Sequence, residues 1–128
     1  MTNQWPLQGE MMFIKLQEWI AKYYAYKAKS HFKRQRYALC LHYLQNLEYW
    51  DAHYSDKPIY AGYLAMCHYQ LKYWDCLTEE VERALFLLRR HTQNDKEALL
   101  LWQELKSHLS DLRYIDQSNS KMKRASGL

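Results

Sequence analysis

The stretch from Pro58 to Leu88 constrains the fold most, because it holds two apolar patterns of helix length separated by only a few residues. In the first half, large apolar residues recur at helical spacing with small residues beside them, namely Tyr60, Tyr63, Leu64, Cys67 and Leu71 with Ala61, Gly62 and Ala65. The second half has an apolar stripe opposite a charged face, and the stripe comprises Leu77, Val81, Ala84, Leu85 and Leu88. So short a connection predicts two antiparallel helices packed against each other.

Composition extends the helical prediction to the whole chain. Its 128 residues are enough for one domain with a core of its own, and 48% of them are apolar. Only 3 glycines and 2 prolines are present, which disfavours a turn-rich β fold and favours long helices. We therefore predict an all-α protein with a single helical domain over residues 10–115, a flexible leader over 1–9 and a disordered tail over 116–128.

Apolar periodicity predicts five helices within this domain. The first spans residues 10–29 and the second spans 35–49, and a break rich in turn-forming residues follows over 50–57. The third and fourth helices lie within 58–90, and a fifth runs from Asp95 to near Leu112. Pro6 argues against helix in the leader, and the polar composition of 116–128 argues against packed structure in the tail.

The residues around the turn of the Pro58–Leu88 stretch resemble a tetratricopeptide (TPR) helical hairpin. The resemblance lies in Leu64-Ala65-Met66-Cys67-His68-Tyr69-Gln70-Leu71, then Tyr73, Cys76-Leu77 and Ala84-Leu85. These follow the repeat's order of a large residue, small residues at the crossing, an aromatic at the turn and Ala-Leu near the end. Leu71 and Lys72 stand where the repeat usually has a glycine. The resemblance implies a TPR-like array of antiparallel helical hairpins with a closing C-terminal helix.

From Tyr63 to Leu105 the chain resembles the small TPR-type chaperones of bacterial type III secretion, especially those that hold the needle subunit. The residues that carry this are an aromatic followed by Leu64-Ala65-Met66-Cys67-His68-Tyr69-Gln70-Leu71, a shortened turn, the Leu77 to Leu85 stripe and a last helix with leucines and Trp102. The resemblance implies a bacterial cytoplasmic chaperone that sequesters an amphipathic helix of a secreted, self-assembling subunit, with or without a co-chaperone. A TPR adaptor in another complex is the alternative that the same residues allow.

Aromatic residues make up 16% of the chain, with 12 tyrosines, which is more than a core of this size needs. Tyrosine combines a large apolar area with a polar end and therefore suits partner surfaces. We predict a partner-binding groove lined by tyrosines of the first and third helices, namely Tyr23, Tyr26, Tyr60, Tyr63 and Tyr69. Its ligand would be an amphipathic helix or extended peptide of a protein client, and Tyr63→Ala would weaken binding without unfolding the domain. The alternative interpretation is that these rings cover the core.

A basic run connects the first two helices and contains Lys27, Lys29, Lys33, Arg34 and Arg36. No acidic residue lies between Trp19 and Leu47, so nothing nearby in the sequence neutralises the run. Such a run suits a solvated connection, an acidic partner or the phosphates of a nucleic acid. We expect a protein partner, and the alternative is a small basic helical nucleic-acid-binding protein that uses residues 27–36.

The sequence offers no recognisable catalytic, metal or cofactor motif. Its six histidines lack metal-ligand spacing, and its three glycines cannot build a phosphate-binding loop. Cys40, Cys67 and Cys76 lack CxxC spacing, and we expect them to be reduced and buried. We therefore predict neither an enzyme nor a bound cofactor. We also expect no membrane span and no export signal, and the aromatic excess predicts self-association of the free protein.

Overall fold

Five α-helices make up most of the protein in a computed structural model, which describes the backbone of residues 4–126 and the side chains of residues 9–115. The helices are α1 (Gln4–Lys33), α2 (Tyr37–Trp50), α3 (Pro58–Gln70), α4 (Leu77–Arg89) and α5 (Lys96–Ser126), and a 3-10 turn at Tyr54–Asp56 precedes α3. Helix accounts for 82% of the residues whose backbone is described, and this part of the chain contains no strand. The predicted all-α class is confirmed.

The chain divides after Tyr54 into two compact units, whereas the sequence predicted a single domain over 10–115. Unit 1 (Met1–Tyr54) contains the hairpin of α1 and α2, and unit 2 (Ser55–Leu128) contains α3, α4 and α5. The division falls within the segment 50–57, where the apolar periodicity breaks. Periodicity shows which face of a helix is buried, but it carries no information on which helices share a core.

Both long helices extend further toward the chain ends than the sequence predicted. α1 already begins at Gln4, within the predicted leader, because Pro6 lies in its first turn, where a missing N–H loses no hydrogen bond. α5 continues to Ser126, through most of the predicted tail, since no proline or glycine interrupts the sequence before Gly127. Residues 1–3 and 127–128 of the predicted leader and tail lie outside the described backbone.

In unit 1, α1 and α2 form an antiparallel hairpin joined by the short turn 34–36. Its buried residues are Ala28 of α1 and a stripe of α2 comprising Cys40, Leu41, Leu44 and Leu47. The Tyr43 ring of α2 stacks on His31, with 5.3 Å between the ring centroids, and lies 6.2 Å from the Tyr24 ring. Because α2 has 14 residues and α1 has 30, α2 reaches about 21 Å along a helix of about 45 Å. The N-terminal half of α1 therefore extends past α2.

In unit 2, α3 packs against both α4 and α5. Late in α3, the Nδ1 atom of His68 lies 2.8 Å from a carboxylate oxygen of Glu80, early in α4. Early in α3, a Cβ atom placed on Gly62 would lie 3.2 Å from Leu88 Cδ1, late in α4. These two pairs show that α3 and α4 are antiparallel, as the short connection predicted.

α5 runs in the same direction as α3. Tyr63, early in α3, donates a hydrogen bond to the Glu97 carboxylate in the first turn of α5, and Tyr69, at the end of α3, stacks on His108 further along α5. Gly62 lies where the helices approach most closely, since an added Cβ would be 3.1 Å from Leu101 Cδ1. The buried residues of α4 and α5 form regular stripes, namely Leu77, Val81, Ala84 and Leu88, and Ala98, Leu101, Leu105, Leu109 and Leu112.

The two hairpins, α1–α2 and α3–α4, use the same turn. After α3, the Tyr73 N–H donates to the His68 carbonyl at 2.9 Å and the Lys72 N–H donates to the Tyr69 carbonyl at 3.2 Å, which is a Schellman motif. After α1, Arg36 donates to His31 and Gln35 to Phe32 in the same pattern, at 2.9 and 3.0 Å. An interval of 37 residues relates equivalent positions of the hairpins, including His31 and His68, Gln35 and Lys72, Ala28 and Ala65, Cys40 and Leu77, Leu44 and Val81, and Leu47 and Ala84.

Candidate partner-binding site

Large apolar side chains that are exposed to solvent follow one another along α1 from Met11 to Tyr26. Trp19 is 75% exposed and Met12 is 71% exposed, and the others that are more than half exposed are Met11, Phe13, Ile14, Leu16, Tyr23 and Tyr26. Soluble proteins seldom leave so many contiguous apolar side chains in water unless the surface binds something. This α1 surface is therefore the strongest candidate for partner binding among the described residues.

Five of the exposed residues, namely Met12, Leu16, Trp19, Tyr23 and Tyr26, lie away from the side of α1 that faces α2, whereas Phe13 falls on the α2-facing side beyond the end of α2. Tyr24, Ala28 and His31 lie on the side that packs against α2, as their ring contacts and burial show. At about 100° per residue, Trp19 and Tyr26 fall on the opposite side of the helix. α1 thus presents one face to its own hairpin and a second face to solvent.

Two of the five predicted groove tyrosines, Tyr23 and Tyr26, belong to this exposed α1 surface. Tyr23 is 53% exposed and Tyr26 is 69% exposed, so both rings are available to a partner. The Lys27 Nζ atom lies 5.8 Å from the centroid of the Tyr23 ring, a cation–π distance that places a positive charge beside the apolar row. Tyr60, Tyr63 and Tyr69 belong to unit 2.

Tyr63 is part of the core and does not line a groove, which corrects the sequence-based assignment. Its side chain has no solvent exposure, and its hydroxyl donates a hydrogen bond to Glu97 of α5. The half-buried Tyr60 packs edge-on against the Tyr63 ring at 6.1 Å between centroids. The helical spacing of the tyrosines could not show that α5 covers Tyr63.

Tyr69 is half-buried and also serves packing within unit 2. Its ring stacks on His108 at 4.0 Å between centroids and meets Trp74 edge-on at 6.0 Å. Burial raises the pKa of the Tyr69 phenol above its ordinary value, and the nearby Asp111 carboxylate raises it further. Tyr69 therefore helps to hold α5 against α3, with only part of its ring accessible.

The predicted basic run occupies the last turns of α1 and the turn that follows. Lys33, Arg34 and Arg36 are exposed, and positive side chains at the end of a helix stabilise its negative dipole end. The nearby His31 ring stacks on Tyr43 with its Nδ1 buried and lacking a hydrogen-bond partner. Burial lowers the pKa of His31, and the positive charges of Arg36, Lys27 and Arg34 lower it further.

Sequence analysis missed a hydrogen-bonded pair of side chains that closes the α3–α4 hairpin. Nδ1 of His68 lies 2.8 and 2.9 Å from the two carboxylate oxygens of Glu80, and both side chains are about a quarter exposed. The residues are 12 positions apart, so no spacing rule within one helix connects them. The antiparallel pairing of α3 with α4 was the signal that could have indicated this contact.

A second missed feature is an open groove between α4 and α5. Its lining mixes apolar and positive side chains, namely Leu85, Phe86, Arg89, Trp102, Lys106, Leu109 and Arg113. The Lys106 Nζ atom lies 4.5 Å from the Trp102 ring centroid, and Arg113 donates to Glu82 at 3.2 Å. Two cations of this groove, Lys106 and Arg113, are therefore engaged with a neighbouring aromatic ring and a carboxylate.

The cysteines and histidines do not assemble into a site. Cys40 and Cys67 are buried as expected, whereas Cys76 is exposed at the start of α4, with a left-handed φ of 54°. Within residues whose side chains are described, no group of three or more His, Cys, Asp or Glu side chains could hold a metal ion. Among the same residues, no helix combines the length and apolar character needed to cross a bilayer.

No protein-family model, curated protein or solved structure matches this chain. Its surfaces are therefore the basis for assigning a function. The α1 surface offers apolar contact area, and the basic run offers positive charge. Both surfaces are suited to binding.

Proposed function

We propose that this protein binds and masks an amphipathic helix of a partner protein through the exposed apolar surface of α1. The single observation that carries this proposal is the exposure of Met12, Leu16 and Trp19 together with their neighbours on one long helix. A helix partner fits because helix-to-helix packing buries a narrow apolar row along its whole length. The other described helices expose large apolar side chains singly or in pairs.

The energy of such binding would come chiefly from apolar burial. Covering a side chain that is half to three-quarters exposed contributes on the order of 1 kcal/mol or somewhat more. Five such residues, Met12, Leu16, Trp19, Tyr23 and Tyr26, can be covered by one partner helix, so the total reaches the lower part of the roughly 4–15 kcal/mol cost of immobilising two molecules. The apolar row can therefore drive association, while a tight complex needs further contacts beside it.

The setting that we propose is that of a small TPR-type chaperone of type III secretion, acting in the bacterial cytoplasm. A subunit that assembles through an amphipathic helix stays monomeric while that helix is covered. Support comes from the order of α3, α4 and α5, in which two antiparallel helices are followed by a third parallel to the first. Stacked TPR repeats have this order, and the 37-residue relation between the two hairpins agrees with a degenerate repeat.

Co-expression with the small reading frames that neighbour this gene tests the proposal. We expect the purified protein to retain a small helical polypeptide in fixed ratio, identified by mass. The double substitution Leu16→Gln with Trp19→Gln should lose this polypeptide. Leu100→Gln with Phe86→Gln removes exposed apolar side chains from unit 2 and should retain it. Equal retention by both double variants would reject the α1 surface as the binding site.

A nucleic acid is the second candidate partner, favoured by the exposed cations near the turn of unit 1. Arg34, Arg36 and Lys33 are exposed. Burial lowers the pKa of His31 most, and the positive charges of Arg36 and Arg34 contribute to the same shift. Binding through phosphate contacts would weaken steeply between low and moderate salt, whereas apolar burial would change little. Single-stranded oligonucleotide binding that is lost in Arg34→Gln with Arg36→Gln would favour this second function.

A further inference from the structure

The exposed apolar residues of α1 form a regular seam. Met12, Leu16, Trp19, Tyr23 and Tyr26 follow one another at alternating intervals of four and three residues, and each is more than half exposed. This alternation is the a/d pattern of a heptad repeat, which brings successive side chains onto one straight line along a helix. The seam therefore matches the surface that one helix presents to another in a coiled coil.

The seam is not used inside its own hairpin. α2 packs against the side of α1 that carries Tyr24, Ala28 and His31, and the seam lies on the opposite side. Furthermore, the first part of the seam lies beyond the reach of α2, because α2 is less than half as long as α1. A further helix can therefore lie along the seam without displacing α2.

Lysines flank this seam and no acidic residue does. Lys15, Lys22 and Lys29 occupy the positions along one border, and Phe13, Ile20 and Lys27 occupy the positions along the other. The acidic residues of the same described segment, Glu10 and Glu18, lie at positions further from the seam. In coiled coils, the residues that flank the seam select the partner by charge.

We propose that the seam binds a partner helix whose own apolar seam is flanked by Asp and Glu. This inference rests on the proposed function and names the chemistry of its partner. Acidic flanks on the partner would lie beside Lys15, Lys22 and Lys29 along the length of the contact. The lysines therefore both strengthen the correct pairing and select it against neutral or basic helices.

The same charges disfavour a second copy of this chain as the occupant. Parallel pairing of two α1 helices would bring Lys22 of one copy beside Lys27 of the other. Antiparallel pairing would bring together the two borders that carry Lys15, Lys22 and Lys29. Either arrangement sets like charges against each other, and such pairs destabilise a helix contact.

Three designed peptides test the proposal with the full chain as receptor. Each has about four heptads with the same leucine seam, and the flanking positions are all Glu, all Lys or all Gln. At low salt we expect the Glu peptide to bind about tenfold or more tightly than the Lys peptide, with the Gln peptide between them. Raising the salt concentration should narrow this difference, because exposed charge pairs are screened.

Two double variants of the protein test the flanking lysines and the apolar seam separately. Lys15→Glu with Lys22→Glu alters only exposed residues and should remove the preference for the Glu peptide, because the two added carboxylates offset Lys27 and Lys29 beside the seam. Leu16→Gln with Trp19→Gln should abolish binding of all three peptides. Circular dichroism checks that both variants keep the helical content of the parent protein.

The outcomes separate this inference from the proposed function. If all three peptides bind equally and salt has no effect, the inference that the partner has acidic flanks is wrong. The proposal that α1 binds a partner helix would then still stand. If no peptide binds, the seam fails as a helix-binding surface and both proposals fall. Sedimentation that shows a dimer lost in the Leu16→Gln with Trp19→Gln variant would identify a second copy as the occupant and overturn the inference.

Discussion

Gln35 and Lys72 occupy the same left-handed position at the turns of the two hairpins, with φ of 59° and 62°. Each follows a helix whose last carbonyls accept the two hydrogen bonds of a Schellman motif. Glycine is the usual residue at this position because it has no Cβ to strain the left-handed conformation. Both hairpins therefore keep the turn geometry while carrying residues that fit it less well.

Lys72→Gly should stabilise unit 2 by about 0.5–1 kcal/mol, because relief of left-handed strain exceeds the added entropy of the unfolded chain. Gln35→Gly should act similarly in unit 1. Denaturant unfolding followed by circular dichroism measures both. Lys72→Ala provides the control, since it removes the same side chain but retains a Cβ, and should leave stability nearly unchanged. A glycine variant no more stable than the alanine variant would contradict the role of strain.

Tyr63→Ala should destabilise the protein by about 3–5 kcal/mol, because it empties a fully buried site. Tyr63→Phe keeps the ring, loses the hydrogen bond to Glu97, and should cost about 0.5–1.5 kcal/mol. The exposed Tyr26 is the matched control, and Tyr26→Ala should change stability by less than about 0.5 kcal/mol. Thermal melting ranks the three variants, and similar melting temperatures for the two alanine variants would refute the core assignment.

Gly62→Val should destabilise unit 2 by about 1–3 kcal/mol, since its side chain would press on Leu101 and Leu88 at the helix crossing. Gly62→Ala should be close to neutral, because improved helix propensity offsets the crowding. A double-mutant cycle tests whether the steric crowding in Gly62→Val involves Leu101. Gly62→Val combined with Leu101→Ala should cost about 1 kcal/mol less than the sum of the single changes. If the free-energy changes of the two single variants add up to that of the double variant, the crowding does not involve Leu101.

Acid should destabilise unit 1 through His31. Folding holds the pKa of His31 below its ordinary value of 6.5, so the unfolded chain takes up a proton more readily than the folded chain. The contribution of the neutral His31 ring to the free energy of unfolding is therefore fully present above pH 6.5 and is lost as the pH falls below this value. His31→Phe keeps a ring against Tyr43 without titrating, so the variant should lose less stability than the parent between about pH 7.5 and 5.

Denaturation midpoints across this pH range provide the measurement. His91→Gln is the control, because His91 is an exposed residue between α4 and α5. We expect the denaturation midpoint of the His91→Gln variant to change with pH in the same way as that of the parent protein. Identical profiles for His31→Phe and the parent would show that other groups control the acid response.

The helices could be predicted from the sequence because their apolar residues recur at helical spacing. Five residues were assigned to a buried stripe of α4, and all are buried except the half-buried Leu85, namely Leu77, Val81, Ala84, Leu85 and Leu88. Pairing between distant helices was harder to foresee, because it depends on α5 and not on local pattern. Tyr63 illustrates this, since its spacing suits a groove until α5 is placed over it. Pro6 shows a related limit, because the same residue that stops a helix is tolerated in its first turn.

The candidate site was only partly predictable for a similar reason. The tyrosines were chosen for their chemistry, and two of them, Tyr23 and Tyr26, are exposed on α1. Phe13 and Leu16 fit the pattern of a core-facing helix equally well, but α2 is too short to reach Phe13, and Leu16 lies on a side of α1 that faces away from α2. Whether an apolar row is buried or exposed depends on the length of the neighbouring helix, which a pattern within one helix does not contain.

Because α1 is much longer than α2, the two halves of α1 should differ in how often they unfold locally in the free protein. A helical segment without tertiary packing is only marginally stable in water, so the seam around Met12 and Leu16 should open and close far more often than the segment beside Tyr43. Its amide hydrogens should exchange quickly in the free protein and slowly in the complex. The N-terminal half of α1 should therefore become stably helical only when the partner binds, so that folding of this segment and binding are coupled.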